Sequence, residues 1–98
     1  MDFITTHTYG VDEGDVDENG KKGTILSPSP DSISGDVRRV RDQIAHSPRP
    51  DLPLHITEWS TSYTPFDPVH DNYQSAAFII DRIRRGCDAA QSMSYWVF

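Results

Sequence analysis

A chain of 98 residues has room for one small domain or a piece of a larger one. Its formal charge of −6 excludes the basic footprint that nucleic-acid binding needs, and no run is apolar and long enough to span a bilayer. The composition, 36% hydrophobic and 24% charged, is that of an ordinary soluble protein, and the single Cys87 cannot form an intrachain disulfide, which tilts the setting toward a reducing, cytoplasmic one. No charged-then-apolar leader is present at Met1, and Cys87 beside Gly86 reads as a structural thiol.

In chain order, Phe3–Tyr9 (FITTHTY) is rich in aromatic and β-branched residues and predicts a first strand. His7 and Tyr9, two apart, share one face near its C-terminal end. Residues Gly10–Ser34, heavy in Gly, Pro, Ser and acids, read as a long loop. Within it Asp15, Asp17, Asn19 and Gly20 match the first half of a calcium-binding loop, but position twelve is Leu26 where a bidentate Glu belongs. A solvated acidic turn is the better reading of that stretch.

From Ser34 to Ser47, Val37, Val40 and Ile44 form one apolar stripe and predict a helix. Asp36 lies in its first turn, where the helix dipole favours an acid, and Arg38, Arg39, Arg41 and Asp42 read as a solvated face. Pro48, Pro50 and Pro53 deliver the chain into a second strand, Leu54–Glu58, short and nearly continuous in apolar character. A loop over Ser60–His70 follows, with Tyr63, Phe66 and His70. Asp71 with Gln74 resembles a capping box for a second helix reaching Arg85, with Tyr73, Ala76, Ala77, Ile80 and Ile83 on one side and Gly86 as its stop. Met93–Phe98 (MSYWVF) predicts a third strand.

Strand–helix–strand–helix–strand is an α/β arrangement of two βαβ units with parallel strands. Functional groups in such folds gather at the carboxyl ends of the strands, where His7 and Tyr9, then Glu58, then Tyr95 and Trp96 fall. Aromatic rings, hydroxyls and a carboxylate on one rim suit a sugar. Glycosidases cleave with two carboxyl groups, and Glu58 could be one of them. His7, His46, His55 and His70 lack metal-ligand spacing, and neither a phosphate-cradling Gly-rich loop nor a G-x-S-x-G elbow occurs.

The stretches DFITTHTYG, LPLHITEWSTSYTPFDPVHD and SMSYWVF resemble glycoside hydrolase family 39, and within it the β-xylosidases. The similarity spans nearly the whole chain and is weakest across the acidic segment Asp12–Ser34. It implies a βαβαβ fragment of a (β/α)₈ barrel, covering strands six to eight of eight, so that residues 1–98 are the C-terminal part of an incomplete catalytic domain. It further implies that Glu58 is the catalytic nucleophile and that His7, Tyr9, Tyr63 and Trp96 line the sugar subsite. The substrate implied is a xyloside or xylo-oligosaccharide, with no cofactor, metal, nucleic acid or membrane partner.

The family's general acid/base is a Glu in an Asn-Glu-Pro motif, and that tripeptide is absent here. The isolated chain is therefore expected to be inactive. Two rivals remain open: a non-catalytic α/β fragment that self-associates or docks with a complementary barrel piece, and an α-L-iduronidase-like or other retaining barrel glycosidase. Three strands alone leave two open sheet edges.

Overall fold

The computed structural model describes residues 1–86 and 88–96. Cys87, and Val97 and Phe98 at the end of the third expected strand, lie outside the described residues. Strand β1 spans Ile4–Tyr9, β2 Val11–Val16, β3 Lys22–Leu26, β4 Leu54–Ser60 and β5 Ser92–Tyr95. Helix α1 spans Ser34–Ala45 and α2 Tyr73–Gly86, and a single 3₁₀ turn, Pro68–Asp71, precedes α2. Among the described residues no helix is long and apolar enough to cross a membrane.

The expected α/β arrangement is present. Strands β1, β4 and β5 form one sheet in the order β1-β4-β5, both pairings parallel. Their apolar residues meet the two helices in one core: Leu54, Ile56 and Trp59 from β4, Val37 and Ile44 from α1, and Phe78 from α2. The stripe predicted for α1 is the buried one, with Val37 and Ile44 in the core and Val40 packed against it. Ile33 caps that helix with a left-handed φ of 63°. For a β-branched residue this costs about 1–3 kcal/mol, a strain comparable to what full burial of its side chain returns.

Four expectations need correction. First, Gly10–Ser34 is not one long loop, because β2 and β3 pair as an antiparallel hairpin. Asp17 Oδ1 accepts from the amides of Asn19 and Lys21, each at 2.9 Å, and Gly20 takes a φ of 78°, so the Asn-Gly step makes the hairpin turn. The residues resembling a calcium loop are this turn. Second, the cap of α2 is Asn72, whose Oδ1 accepts from Ser75 N at 2.9 Å; Asp71 ends the 3₁₀ turn instead.

Third, α2 buries Ser75, Phe78, Arg82 and Gly86, not the expected apolar side. Tyr73, Ile80 and Ile83 are 82%, 69% and 42% exposed. Arg82 reaches the core because every group around it is matched. Its guanidinium binds Ser32 Oγ (3.0 Å), Ser29 O (2.8 Å) and Asp81, and lies 4.1 Å from the Phe78 ring centre. Asp81 is held below the ordinary carboxylate range chiefly by its hydrogen bond from Arg85. Fourth, the arginines of α1 are not idle on a solvated face. Arg41 donates to Ala89 O, Leu52 O and Gln91 Oε1, and Arg38 donates to Arg85 O and Asp88. These bonds tie α1 to the segments flanking β4 and β5.

Candidate functional site

The site is built on an irregularity in β4. Against β1, Thr6 pairs with Ile56 but His7 pairs with Glu58. Against β5, Ile56 pairs with Met93 and Trp59 with Tyr95. Both neighbours advance one residue fewer than β4, so β4 carries one extra residue at Thr57–Glu58, a β-bulge. A regular strand would put Leu54, Ile56 and Glu58 on one face, and the first two are fully buried under the helices. The bulge breaks that parity. Trp59 takes the next core position and Glu58 is turned to the other face, with its side chain 24% exposed.

Across the sheet, β1 presents matching groups. Thr8 points to the helix layer, where its hydroxyl donates to Asp36 Oδ2 at 2.7 Å, so alternation sends His7 and Tyr9 to the opposite face. His7 Nδ1 stands 3.9 Å from Glu58 Oε2, an electrostatic neighbour beyond hydrogen-bond range. Tyr9 meets Tyr63 edge-to-face, ring centres 6.0 Å apart. Tyr95 leaves the expected rim: its ring packs on Trp59 at 5.3 Å, against the core. Trp96 follows it, half-buried, with its amide donating to Trp59 O at 2.9 Å, and alternation gives it the Glu58 face. Thus His7 with Glu58 and Tyr9 with Tyr63 are in contact, and Trp96 closes the same strand ends from β5.

One acid went unrecognised in the sequence. Asp67 is buried and accepts hydrogen bonds from Thr24 Oγ1 on the hairpin, from Ser62 Oγ at 2.7 Å and from Val69 N at 3.0 Å. Burial pushes its carboxyl up, but those bonds and the nearby His70 outweigh it and hold the group below its ordinary value. His70 braces the same loop, through Thr61 Oγ1 at 2.8 Å and Thr64 O at 3.0 Å. Tyr63 is thereby carried on a loop fixed at both ends and clamped to the hairpin. Asp67 followed by Pro68 is a helix-start signal, N-cap then Pro at the first position, that was present in the sequence. Gly10 completes the junction. Its amide is shared between Ser60 O and Thr61 O, both at 3.1 Å, and a Cβ there would lie 2.4 Å from the Phe78 ring.

Among the described residues no group of three or more His, Cys, Asp or Glu is placed to hold a metal ion. What the rim offers is a carboxylate, an imidazole and aromatic rings on one face, a set suited to a neutral polyhydroxylated ligand with one reactive carbon.

Comparison with known proteins agrees with this chemistry. The family model for glycosyl hydrolases family 39 matches residues 1–98. A β-xylosidase of Geobacillus stearothermophilus is 39% identical over the whole chain, and one of Caldicellulosiruptor saccharolyticus is 29% identical. The chain spans only about 20% of the first relative's length and 19% of the second's. Among solved structures, a monomeric β-xylosidase from Caulobacter crescentus CB15 superposes with a TM-score of 0.91 at 62% identity, over 99% of this chain and 20% of that one. A family 39 enzyme from Xanthomonas axonopodis pv. citri gives 0.91 at 60% identity, over 100% and 19%. With its full length matched by the family model, the chain belongs to glycosyl hydrolases family 39.

Proposed function

We propose that this chain carries the nucleophile half of the active site of a retaining β-xylosidase, as the C-terminal three strands of a (β/α)₈ catalytic barrel. The observation that carries the reading is the β4 bulge, which turns an acid of core parity toward His7 and onto the face of Tyr9 and Trp96. In this reaction a Glu58 oxygen attacks the anomeric carbon of a xyloside while the bond from that carbon to the leaving oxygen breaks. The leaving oxygen takes a proton from a second carboxylic acid, about 5–5.5 Å from Glu58 in a retaining enzyme. That second group then removes a proton from water, which attacks the same carbon and releases Glu58 from the ester. His7, Tyr9, Tyr63 and Trp96 hold the sugar.

No Asn-Glu-Pro motif occurs in the 98 residues, so the acid/base comes from outside them and the isolated chain does not turn over. Glu58→Ala in the complete protein tests the assignment: it abolishes xyloside hydrolysis, and added azide restores bond cleavage by forming an α-xylosyl azide. Unchanged hydrolysis in that variant overturns the role of Glu58. Turnover by the purified 98-residue chain, lost in Glu58→Gln, overturns the incomplete-site reading instead.

A second reading has its own observation, the uncovered side of α2 formed by Tyr73, Ile80 and Ile83. On this reading the isolated chain pairs with another copy or with a complementary barrel piece. A solution mass equal to the 11.1 kDa monomer tells against it.

A further inference from the structure

Between the β2–β3 hairpin and the loop after β4 runs an open groove of about 850 Å³, within the size range of small-molecule sites. We propose that this groove is a second saccharide subsite, holding the leaving-group side of an oligomeric xyloside whose terminal sugar sits at Glu58. The proposal rests on the glycosidase reading above and adds to it the size class of the substrate.

Four observations converge. Phe66, on the groove wall, is 95% exposed, a bare ring on a loop that is otherwise tightly hydrogen-bonded. Tyr63, 59% exposed, lines the same groove and also touches Tyr9. It is therefore shared between the groove and the rim that carries Glu58. A pyranose offers its apolar C–H face to such rings and its hydroxyls to polar groups around them, and here the polar groups are Lys21, Thr64 and Gln74. Finally, the groove floor is already set. Asp67 accepts from both walls, from Thr24 on the hairpin and from Ser62 on the loop, so closing on a ligand requires little ordering.

The charges favour a neutral ligand. Lys22 is paired with Glu13 at 2.6 Å, and Asp67 stays ionised beneath the groove. A phosphate or nucleotide would meet that carboxylate and a chain of net charge −6. Because a xylosidase takes one terminal sugar at its nucleophile, any further units extend on the leaving-group side. A second aromatic platform reached through Tyr63 is where they would lie.

The test is an amide-resolved NMR titration of the 98-residue chain with xylobiose and xylotriose, repeated in Phe66→Ala and Gln74→Ala. Expected are saturable shifts at Thr24, Ile25, Phe66 and Gln74, with binding weakened about fivefold by Phe66→Ala. Phe66 is solvent-exposed, so its replacement leaves the fold in place. Shifts confined to His7, Tyr9 and Glu58, or titrations identical in both variants, overturn the groove subsite and leave the glycosidase reading standing. Shifts in the groove with none near Glu58 keep the subsite and count against Glu58 as the point of attack. In the complete enzyme, Phe66→Ala is expected to raise KM for xylotriose about fivefold with little change for a small aryl xyloside. An equal rise for both overturns the subsite.

Discussion

The parallel sheet and the antiparallel hairpin are joined at Gly10, yet they are held by different forces. Strands β1, β4 and β5 bury apolar side chains under two helices, and Leu54, Ile56 and Trp59 are almost completely removed from water. The hairpin buries little. Val16 and Ile25 are 57% and 50% exposed, and its attachment to the rest runs through the Thr24–Asp67–Ser62 node and the bonds at Gly10. Apolar burial is nearly indifferent to pH and strengthens in structure-making salts, whereas a buried carboxylate's hydrogen bonds depend on its ionisation. The catalytic face is thus anchored to a pH-insensitive core, and the groove beside it is assembled by a titratable group.

The largest expected effect breaks the polar half of this contrast. Asp67→Ala leaves two hydroxyls and one amide without their acceptor and should cost about 3 kcal/mol, read as lost protection of hairpin amides before any change in Trp59 fluorescence. The wild-type chain should show a related response in acid. The Asp67 carboxyl is depressed in the folded state, so its stabilisation is complete above the unfolded carboxylate value of about 3.9 and is lost as pH falls through the lower folded value. Hairpin amides should accordingly lose protection below about pH 4 while the sheet amides hold. Simultaneous loss in both regions would dissolve the distinction.

A middle-sized effect probes the sheet. Deleting Thr57 removes the extra residue of β4 and leaves Ile56, Glu58 and Trp59 in simple alternation, with both pairings in register. The deletion should therefore cost less than about 1.5 kcal/mol in a urea titration, unusually little for losing a residue inside a central strand. A loss of several kcal/mol would mean that the bulge itself stabilises the sheet. The smallest effect belongs to the hairpin surface: Lys22→Ala removes the exposed Glu13 pair and should shift stability by under about 0.5 kcal/mol, vanishing in high salt.

How much of this was legible in the sequence follows the same division. The Val37–Val40–Ile44 stripe and the apolar run of β4 declared α1 and the central strand, because burial requires apolar residues at the right period. The hairpin was hidden because VDEGDV and KGTIL contain the glycines and acids that strands usually avoid, and only the Asn-Gly step signalled a turn. The buried side of α2 was misjudged because Arg82 sits in the core, neutralised by Asp81 and stacked on Phe78, while isoleucines face outward. The rim residues were placed by strand order alone. The bulge that aims Glu58 leaves no mark in residue types, since it is a property of pairing with β1 and β5.

Gly10 has a consequence for how the chain reaches this structure. Its amide meets Ser60 and Thr61, its carbonyl receives the Ser27 amide at 2.8 Å, and the Phe78 ring fills the space where a side chain would be. Residues 10, 27, 60 and 78 are scattered along the sequence, so no local nucleus can form this knot early; it waits for helix α2 to dock. The groove is then among the last features to appear during folding and among the first to open in native-state fluctuations, an opening–closing equilibrium that exchange rates at Ser27 and Thr24 would time.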